Sequence, residues 1–315
     1  MDSQQLVYFI SALLSLGAAL LMALVLFDRL APMAAARVGL ALERLRSGLR
    51  LRRAGVAGAD MPYLEGGKGE PLVLLHGFAG DKDNFTRIAR FLTPHYRVIC
   101  PDLAGFGDAA RDPQAGHSIP EQAERLRALL DRIAPGKVHL GGNSMGGFIV
   151  AQFAAAWPER VASLWLLDAA GTQASHSSAV LQHYEATGEM PLLVRQEQDY
   201  GNLVDACTAE RPFLPYSLLT ALGRRAAADF ALHTAIMRQV SASPLLQPQP
   251  QYAAMPALVV WGEQDKILHP SGAAAFAQLF PRSRTVMMPG VGHLPMLEEP
   301  RRTAQDYLDF RRTLA

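Results

Sequence analysis

Gly142-Asn143-Ser144-Met145-Gly146 separates the apolar run Val138 to Leu140 from the helix-like run Gly147 to Trp157. The first run reads as a buried strand. The second, with Phe148, Phe153 and closely spaced alanines, reads as a helix. A Gly-x-Ser-x-Gly stretch at such a junction makes a sharp strand-to-helix turn. Small flanking residues let the backbone pack closely there while the serine Oγ projects from the end of the sheet, where a nucleophile is needed. Gly-rich pentapeptides also arise by chance, so the alternative is an ordinary serine in a turn, and the surroundings must decide.

A serine hydroxyl becomes an effective nucleophile only when a base removes its proton, and the base needs a carboxylate to fix its tautomer and stabilise the imidazolium. Two later strand ends carry such groups. Ala257 to Trp261 is followed by Gly262-Glu263-Gln264-Asp265, and Thr285 to Met288 by Pro289-Gly290-Val291-Gly292-His293. The ends of parallel strands share one edge of a sheet, so Ser144, Asp265 and His293 can converge despite their separation in the chain. Their order, Ser then Asp then His, is that of an α/β hydrolase. Taken singly, the Asp could be a turn former and the His a surface or core residue. Asp168, also past a strand end, is the second candidate for the acid. Asp102 is expected to brace the loop Pro101 to Gly107, and His95, His117 and His233 to be surface or structural residues.

The oxyanion that forms on attack needs backbone donors. The Met145 N–H, at the start of a helix, is one; the Phe78 N–H, in the loop His76-Gly77-Phe78 after the strand Leu72 to Leu75, is the other. Gly77 would allow close approach of the backbone, and His76 is read as bracing the loop.

The rest of the soluble part fits the same architecture. Apolar runs at Leu72 to Leu75, Tyr96 to Cys100, Val138 to Leu140, Val161 to Leu167, Ala257 to Trp261 and Thr285 to Met288 alternate with helical stretches, as in a parallel sheet flanked by helices. Pro120 to Ile133 is the clearest helix: Ser118 precedes it, Glu121 and Glu124 lie in its first turns and Pro135-Gly136 ends it. Residues 171–252 are too long for an ordinary crossover and are read as a helical cap or lid. Its apolar residues, among them Tyr184, Met190, Leu192, Tyr200 and Met237, could line a pocket or merely hold the insertion together. The hydrolase core is expected over 56–170 and 253–315.

The N-terminal region differs in composition. Leu6 to Phe27 holds 22 residues without a charged side chain, about 33 Å as a helix against a hydrocarbon thickness of about 30 Å. Its length, and the lack of a preceding Lys or Arg, favour a retained single-pass transmembrane anchor over residues 1–28 rather than a cleaved signal peptide. Ser11, Ser15, Ala19 and Ala23 repeat on one face and suggest a homodimer, although small residues are common in any membrane helix. Val38, Leu42, Leu45 and Leu49 continue with helical spacing, flanked by Arg37, Arg44, Arg46 and Arg50, so residues 29–55 are expected to form an amphipathic juxtamembrane helix lying on lipid or on a partner; a solvated linker helix is the alternative.

Half of the 315 residues are apolar and the net charge is +1, which permits one substantial core and gives no sign of nucleic-acid binding. Cys100 and Cys207 lie far apart in the chain and are expected as small buried hydrophobes rather than a disulfide or zinc site.

His76-Gly77-Phe78-Ala79-Gly80-Asp81-Lys82-Asp83-Asn84-Phe85, Pro101-Asp102-Leu103-Ala104-Gly105-Phe106-Gly107, Gly142-Asn143-Ser144-Met145-Gly146 and Gly292-His293 together resemble the α/β-hydrolase superfamily, and within it the Moraxella-type bacterial lipases and esterases. With the anchor added, the chain is most similar to membrane-anchored bacterial phospholipase A enzymes. The resemblance covers roughly residues 60 to 315 and implies an eight-stranded sheet, a helical cap between the sixth and seventh strands, and no cofactor or metal. A serine nucleophile argues against dehalogenases and epoxide hydrolases, leaving ester hydrolases, carbon-carbon bond hydrolases and perhydrolases. The anchor favours esters of membrane lipids: phospholipids, lysophospholipids or acylglycerols. A small-ester esterase and a non-catalytic ligand-binding domain are the other readings. The arginines after the helix place the catalytic domain in the cytoplasm by the positive-inside rule, whereas resemblance to anchored lipases places it on the periplasmic side of a bacterial inner membrane, which is the expectation adopted.

Overall fold

The computed structural model describes residues 2–56 and 58–314. Helix α1 (Ser3–Leu30) is capped by Asp2, whose side chain accepts the Gln5 N–H. It is long and apolar enough to cross a membrane, and none of it is buried against the rest of the chain. After Ala31, Pro32 opens α2 (Pro32–Arg46). The chain then turns at Ser47-Gly48 into β1 (Leu49–Val56), which pairs antiparallel with β2 (Ala59–Gly66).

This departs from the helix expected over 29–55. Leu49 and Arg50 continue the spacing of the helix but belong to a strand, and the core of the sheet begins there rather than at residue 56. Gly48, at φ +68°, takes the left-handed conformation that ends the helix, and the Ser47 hydroxyl donates to the Thr86 carbonyl at 2.6 Å. Leu49 turns inward while Arg50, Arg52 and Arg53 stay exposed, as suits the charged outer strand of a sheet.

The remaining strands are β3 (Pro71–Leu75), β4 (Arg97–Pro101), β5 (Val138–Asn143), β6 (Val161–Leu167), β7 (Ala257–Gly262) and β8 (Ser283–Met288), in the spatial order β1-β2-β4-β3-β5-β6-β7-β8. β2 runs antiparallel to β4, and from β4 to β8 every pairing is parallel. Helices α3 (Thr86–Leu92), α4 (Ile119–Ile133) and α5 (Met145–Ala156) follow β3, β4 and β5. The helical cap between β6 and β7 consists of α6 (Ala179–Thr187), α7 (Tyr200–Cys207), α8 (Tyr216–Ala228) and α9 (Phe230–Ser241). α10 (Gly272–Leu279), α11 (Pro295–Glu298) and α12 (Pro300–Arg312) complete the fold.

Strand β7 is buried along its whole length because both faces of the sheet are covered, which accounts for its lack of apolar-polar alternation. One core joins α4, α5, α10 and cap residues on one face. The other joins α3 and α12, where Trp165 and Tyr307 stack with ring centroids 4.3 Å apart. α4 is capped reciprocally by Ser118 and Glu121, as the sequence predicts. Both cysteines are buried and unpaired.

The N-terminal helices are fastened to the cap. Asp28 Oδ1 accepts the Ser217 N–H at 3.1 Å, and the Arg29 guanidinium lies 4.7 Å from the centre of the Tyr216 ring. α2 packs along α8, while its Val38, Leu42 and Leu45 stay exposed.

Candidate active site

Ser144 closes β5 and opens α5 with φ +55° and ψ −120°, a conformation uncommon for a residue with a side chain. The flanking glycines make it possible. A Cβ on Gly142 would lie 2.3 Å from the Gly146 carbonyl carbon, and one on Gly146 would lie 2.3 Å from the Leu75 carbonyl oxygen. The turn therefore needs both positions bare, and the Ser144 N–H is tied to the Leu167 carbonyl at 3.0 Å.

The loops after β7 and β8 bring Asp265 and His293 together: His293 Nδ1 lies 2.7 Å from Asp265 Oδ2. The other carboxylate oxygen, Oδ1, accepts the N–H groups of Ile267 and Leu268 at 2.8 and 3.0 Å. These three hydrogen bonds occupy both carboxylate oxygens and fix the plane of the side chain. The Nδ1 contact leaves Nε2 of the imidazole for a hydroxyl. Ser144 and His293 line one cavity, and Asp265 meets the far side of the imidazole at Nδ1.

Asp168, the other candidate acid, is fully buried beside Asp265 but does not hold the histidine. Donor atoms of Asp168, Asp265 and His293 lie within 4.8 Å of one another and form the one acid-histidine cluster of metal-binding spacing among the described residues. The His293 Nδ1 and the Asp265 oxygens are already engaged with one another and with N–H groups, an arrangement that suits proton handling better than ion ligation.

The donor loop is built with similar care. His76 Nδ1 lies 2.7 Å from the Gly77 carbonyl and Nε2 accepts the Leu103 N–H at 3.0 Å, which assigns the proton to Nδ1. Burial pushes this imidazole down to about 4, so it stays neutral as a brace. The Phe78 ring packs edge-on against Phe106 and His233, at 5.3 and 5.7 Å. Among the described residues neither the Phe78 nor the Met145 N–H donates to a backbone carbonyl outside regular structure.

A buried ionic knot holds the loop from beyond Phe78. Lys82 Nζ contacts Asp102 Oδ2 at 2.8 Å and Asp108 Oδ2 at 2.6 Å, and Asp102 also accepts the N–H groups of Lys82 and Asp108. Asp102 thus braces its own loop, as expected, and ties it to the donor loop. Arg225 of α8 pairs with Asp81, joining the cap to the same knot. His95 is exposed, while His117 and His233 are buried structural residues.

Two supports were not legible in the sequence. Asn143 Nδ2 donates to the His293 carbonyl at 2.9 Å, and the Glu298 carboxylate accepts the N–H groups of Gly292, Leu294 and Ala209 within 3.2 Å. Asn143 stands at the variable position of the serine motif, and Glu298 follows the histidine without any spacing that marks it.

Ser144 and Phe78 meet two apolar cavities. One, of about 140 Å³, runs between α2 and the cap and is walled by Leu40, Tyr200, Leu203, Val204 and Leu218. The other, of about 110 Å³, lies behind the serine among Met145, Phe148, Leu181, Tyr184, Met190 and Met237. Cap residues do line the pocket.

Residues 70–300 match the alpha/beta hydrolase fold family. The chain belongs to that family. This hydrolase is 36% identical over 278 residues to Lipase 1 of Psychrobacter immobilis, across 86% of this chain and 87% of the lipase. It is 28% identical over 251 residues to the monoacylglycerol lipase ABHD6 of Homo sapiens, across 76% and 74% of the two chains. Among solved structures it is similar to a membrane phospholipase A described as a bacterial virulence factor, with a TM-score of 0.87 and 36% identity over 99% of both chains. That likeness extends over the N-terminal apolar helix of the hydrolase, in accord with membrane anchoring.

Proposed function

We propose that the protein is a membrane-anchored serine hydrolase that cleaves carboxylic esters of membrane lipids through an acyl-enzyme. The observation that carries this reading is the position of Ser144 where two apolar cavities meet, one of them walled by the helix that follows the anchor. His293 Nε2 takes the proton of the Ser144 hydroxyl as Oγ attacks the ester carbonyl, and the imidazolium is stabilised by Asp265. The Phe78 and Met145 N–H groups receive the oxyanion, and collapse of the tetrahedral intermediate transfers the proton to the leaving alcohol. Water activated by the same histidine then releases the fatty acid and restores Ser144.

The substrates are phospholipids, lysophospholipids or acylglycerols. The acyl chain fits the cavity behind the serine, and the remainder of the lipid fits the one beside α2. The named activities of the lipase and phospholipase relatives support this class. Incubating the purified full chain with mixed phospholipid and acylglycerol vesicles and identifying products by mass spectrometry tests it. Release of fatty acid by the wild type and none by Ser144→Ala is expected; equal release by both would overturn the mechanism.

The anchor is retained in this reading, because Asp28 and Arg29 make contacts with α8 that a removed segment could not supply. We place the domain on the periplasmic side of a bacterial inner membrane. Two of the arginines that would argue for the cytoplasm are engaged within the fold, Arg29 over Tyr216 and Arg44 with Asp83. Protease protection in spheroplasts decides the side. A homodimer through the small-residue face of α1 and the exposed side chains of α2 belongs to the same proposal, and crosslinking of the full chain in membranes measures it.

A further inference from the structure

The reaction just described leaves one acid beside the site unused. Asp168 follows β6 with φ +43°, a left-handed conformation, and its side chain is wholly buried. Its backbone N–H donates to the Val260 carbonyl at 2.9 Å, and its Oδ1 accepts the Gly262 N–H at 2.8 Å, so it is fixed against the end of β7. Its Oδ2 finds no hydrogen-bond donor among the described residues. An unpartnered carboxylate oxygen in a dry interior is costly. Asp168 and Asp265 nevertheless stand with donor atoms within 4.8 Å of each other and of His293.

Two carboxylates this close in a buried site do not both ionise. Asp265 receives two backbone N–H groups and the histidine, whereas Asp168 receives one N–H, so the negative charge belongs on Asp265 and the proton on Asp168. The other ionisable groups facing the pair are Glu298, whose charge adds to this preference, and the Cys207 thiol, which burial keeps protonated. Burial and the neighbouring Asp265 charge hold the Asp168 carboxyl well above the usual carboxylate range.

We propose that Asp168 is a positioning residue of the catalytic site, a neutral carboxylic acid whose O–H donates to the Asp265 carboxylate and keeps that carboxylate aligned on His293 Nδ1. The proposal rests on the Ser144-His293-Asp265 reading. It gives Oδ2 its missing partner and supplies Asp265 with a further donor, without adding a second negative charge beside the imidazole. Asp265 can then stabilise the imidazolium in a fixed orientation through both halves of the reaction.

The test compares Asp168→Asn and Asp168→Ala in the full chain, measuring nitrophenyl ester hydrolysis across pH together with thermal unfolding. Asparagine tolerates the left-handed backbone and reproduces the shape and donor of the neutral acid. Asp168→Asn should hold kcat within about threefold of wild type, with the acid limb of its pH profile within about 0.3 of the wild-type position. Asp168→Ala should lose roughly tenfold or more in kcat with KM within about twofold. An acid limb displaced downward by about one pH unit or more in Asp168→Asn would show that a negative charge had been removed, and would overturn the proposal. Wild-type kcat in Asp168→Ala would overturn it as well. Should Asp168→Ala fail to fold, the profile of Asp168→Asn decides alone. Ser144→Ala run in parallel separates the two readings: retained turnover removes the triad itself, whereas its loss beside an unimpaired Asp168→Ala removes only the role of Asp168.

Discussion

Arg44 and Asp83 join the helix after the anchor to the loop that carries Phe78. The guanidinium Nε and one terminal nitrogen meet the two carboxylate oxygens at 2.7 and 2.6 Å, with Asp83 almost wholly buried. The geometry is a two-pronged fork that lysine cannot reproduce. Removing the arginine strands a buried carboxylate, at a cost of about 2 kcal/mol. Arg44→Ala should therefore lower the unfolding temperature and, by loosening the donor loop, lower kcat several-fold; Arg44→Lys should not restore either. Unfolding scans paired with ester hydrolysis measure both, and an unchanged kcat would separate the ion pair from the site.

Asp265 should contribute chiefly through orientation of the histidine. Asp265→Asn keeps the shape of the side chain but loses the charge and can present an N–H to Nδ1, favouring the wrong tautomer. A loss of about a thousandfold to ten-thousandfold in kcat is expected, with little change in KM. Steady-state kinetics on a short nitrophenyl ester give the answer, and a loss below tenfold would speak for another acid.

His76 makes stability depend on pH. Its folded pKa of about 4 lies below its ordinary value of 6.5, so between these values the unfolded chain binds the additional proton. Stability from this group is therefore complete above pH 6.5, falls as pH drops towards 4, and changes no further below that. The total is about 3 kcal/mol. Denaturant unfolding of wild type and His76→Gln across this range should show a slope smaller by about one proton in the variant. Parallel curves would contradict the assignment.

Gly146 has no room for a side chain, since its missing Cβ would fall 2.3 Å from the Leu75 carbonyl oxygen. Gly146→Ala should push α5 away from β3, costing more than about 2 kcal/mol and removing activity with it. A variant with wild-type melting temperature would show that the turn relaxes more readily than this contact implies.

Much of this site could be read from strand ends. Ser144, Asp265, His293 and the Phe78 loop each sit just beyond an apolar run, and the fold gathers those ends at one edge. β1 and β2 escaped the reading for a physical reason. The side chains of β1 are largely exposed at the margin of the sheet, and its Leu49 falls in step with the helical spacing of Val38, Leu42 and Leu45, so one face of a helix and one inward residue of a strand look alike. Pro62 similarly disguises β2. Asn143 and Glu298 act on backbone groups, and such partnerships leave no periodic trace. Asp265 was read ahead of Asp168 as the acid, and it is Asp265 that meets the histidine, but the bond that fixes Asp168 to the Gly262 N–H instead depends on loop geometry that only the folded chain displays.

The chain passes from α1 to α2 through Ala31 and from α2 to β1 through Ser47 and Gly48, and Asp28 is bonded to the cap. A catalytic domain held this tightly has almost no radius of search. What it samples is the two-dimensional composition of the membrane in which its anchor sits, so its rate should follow the mole fraction of substrate lipid in that bilayer rather than the amount of lipid per volume. Diluting proteoliposomes at fixed composition should then leave turnover per inserted molecule unchanged.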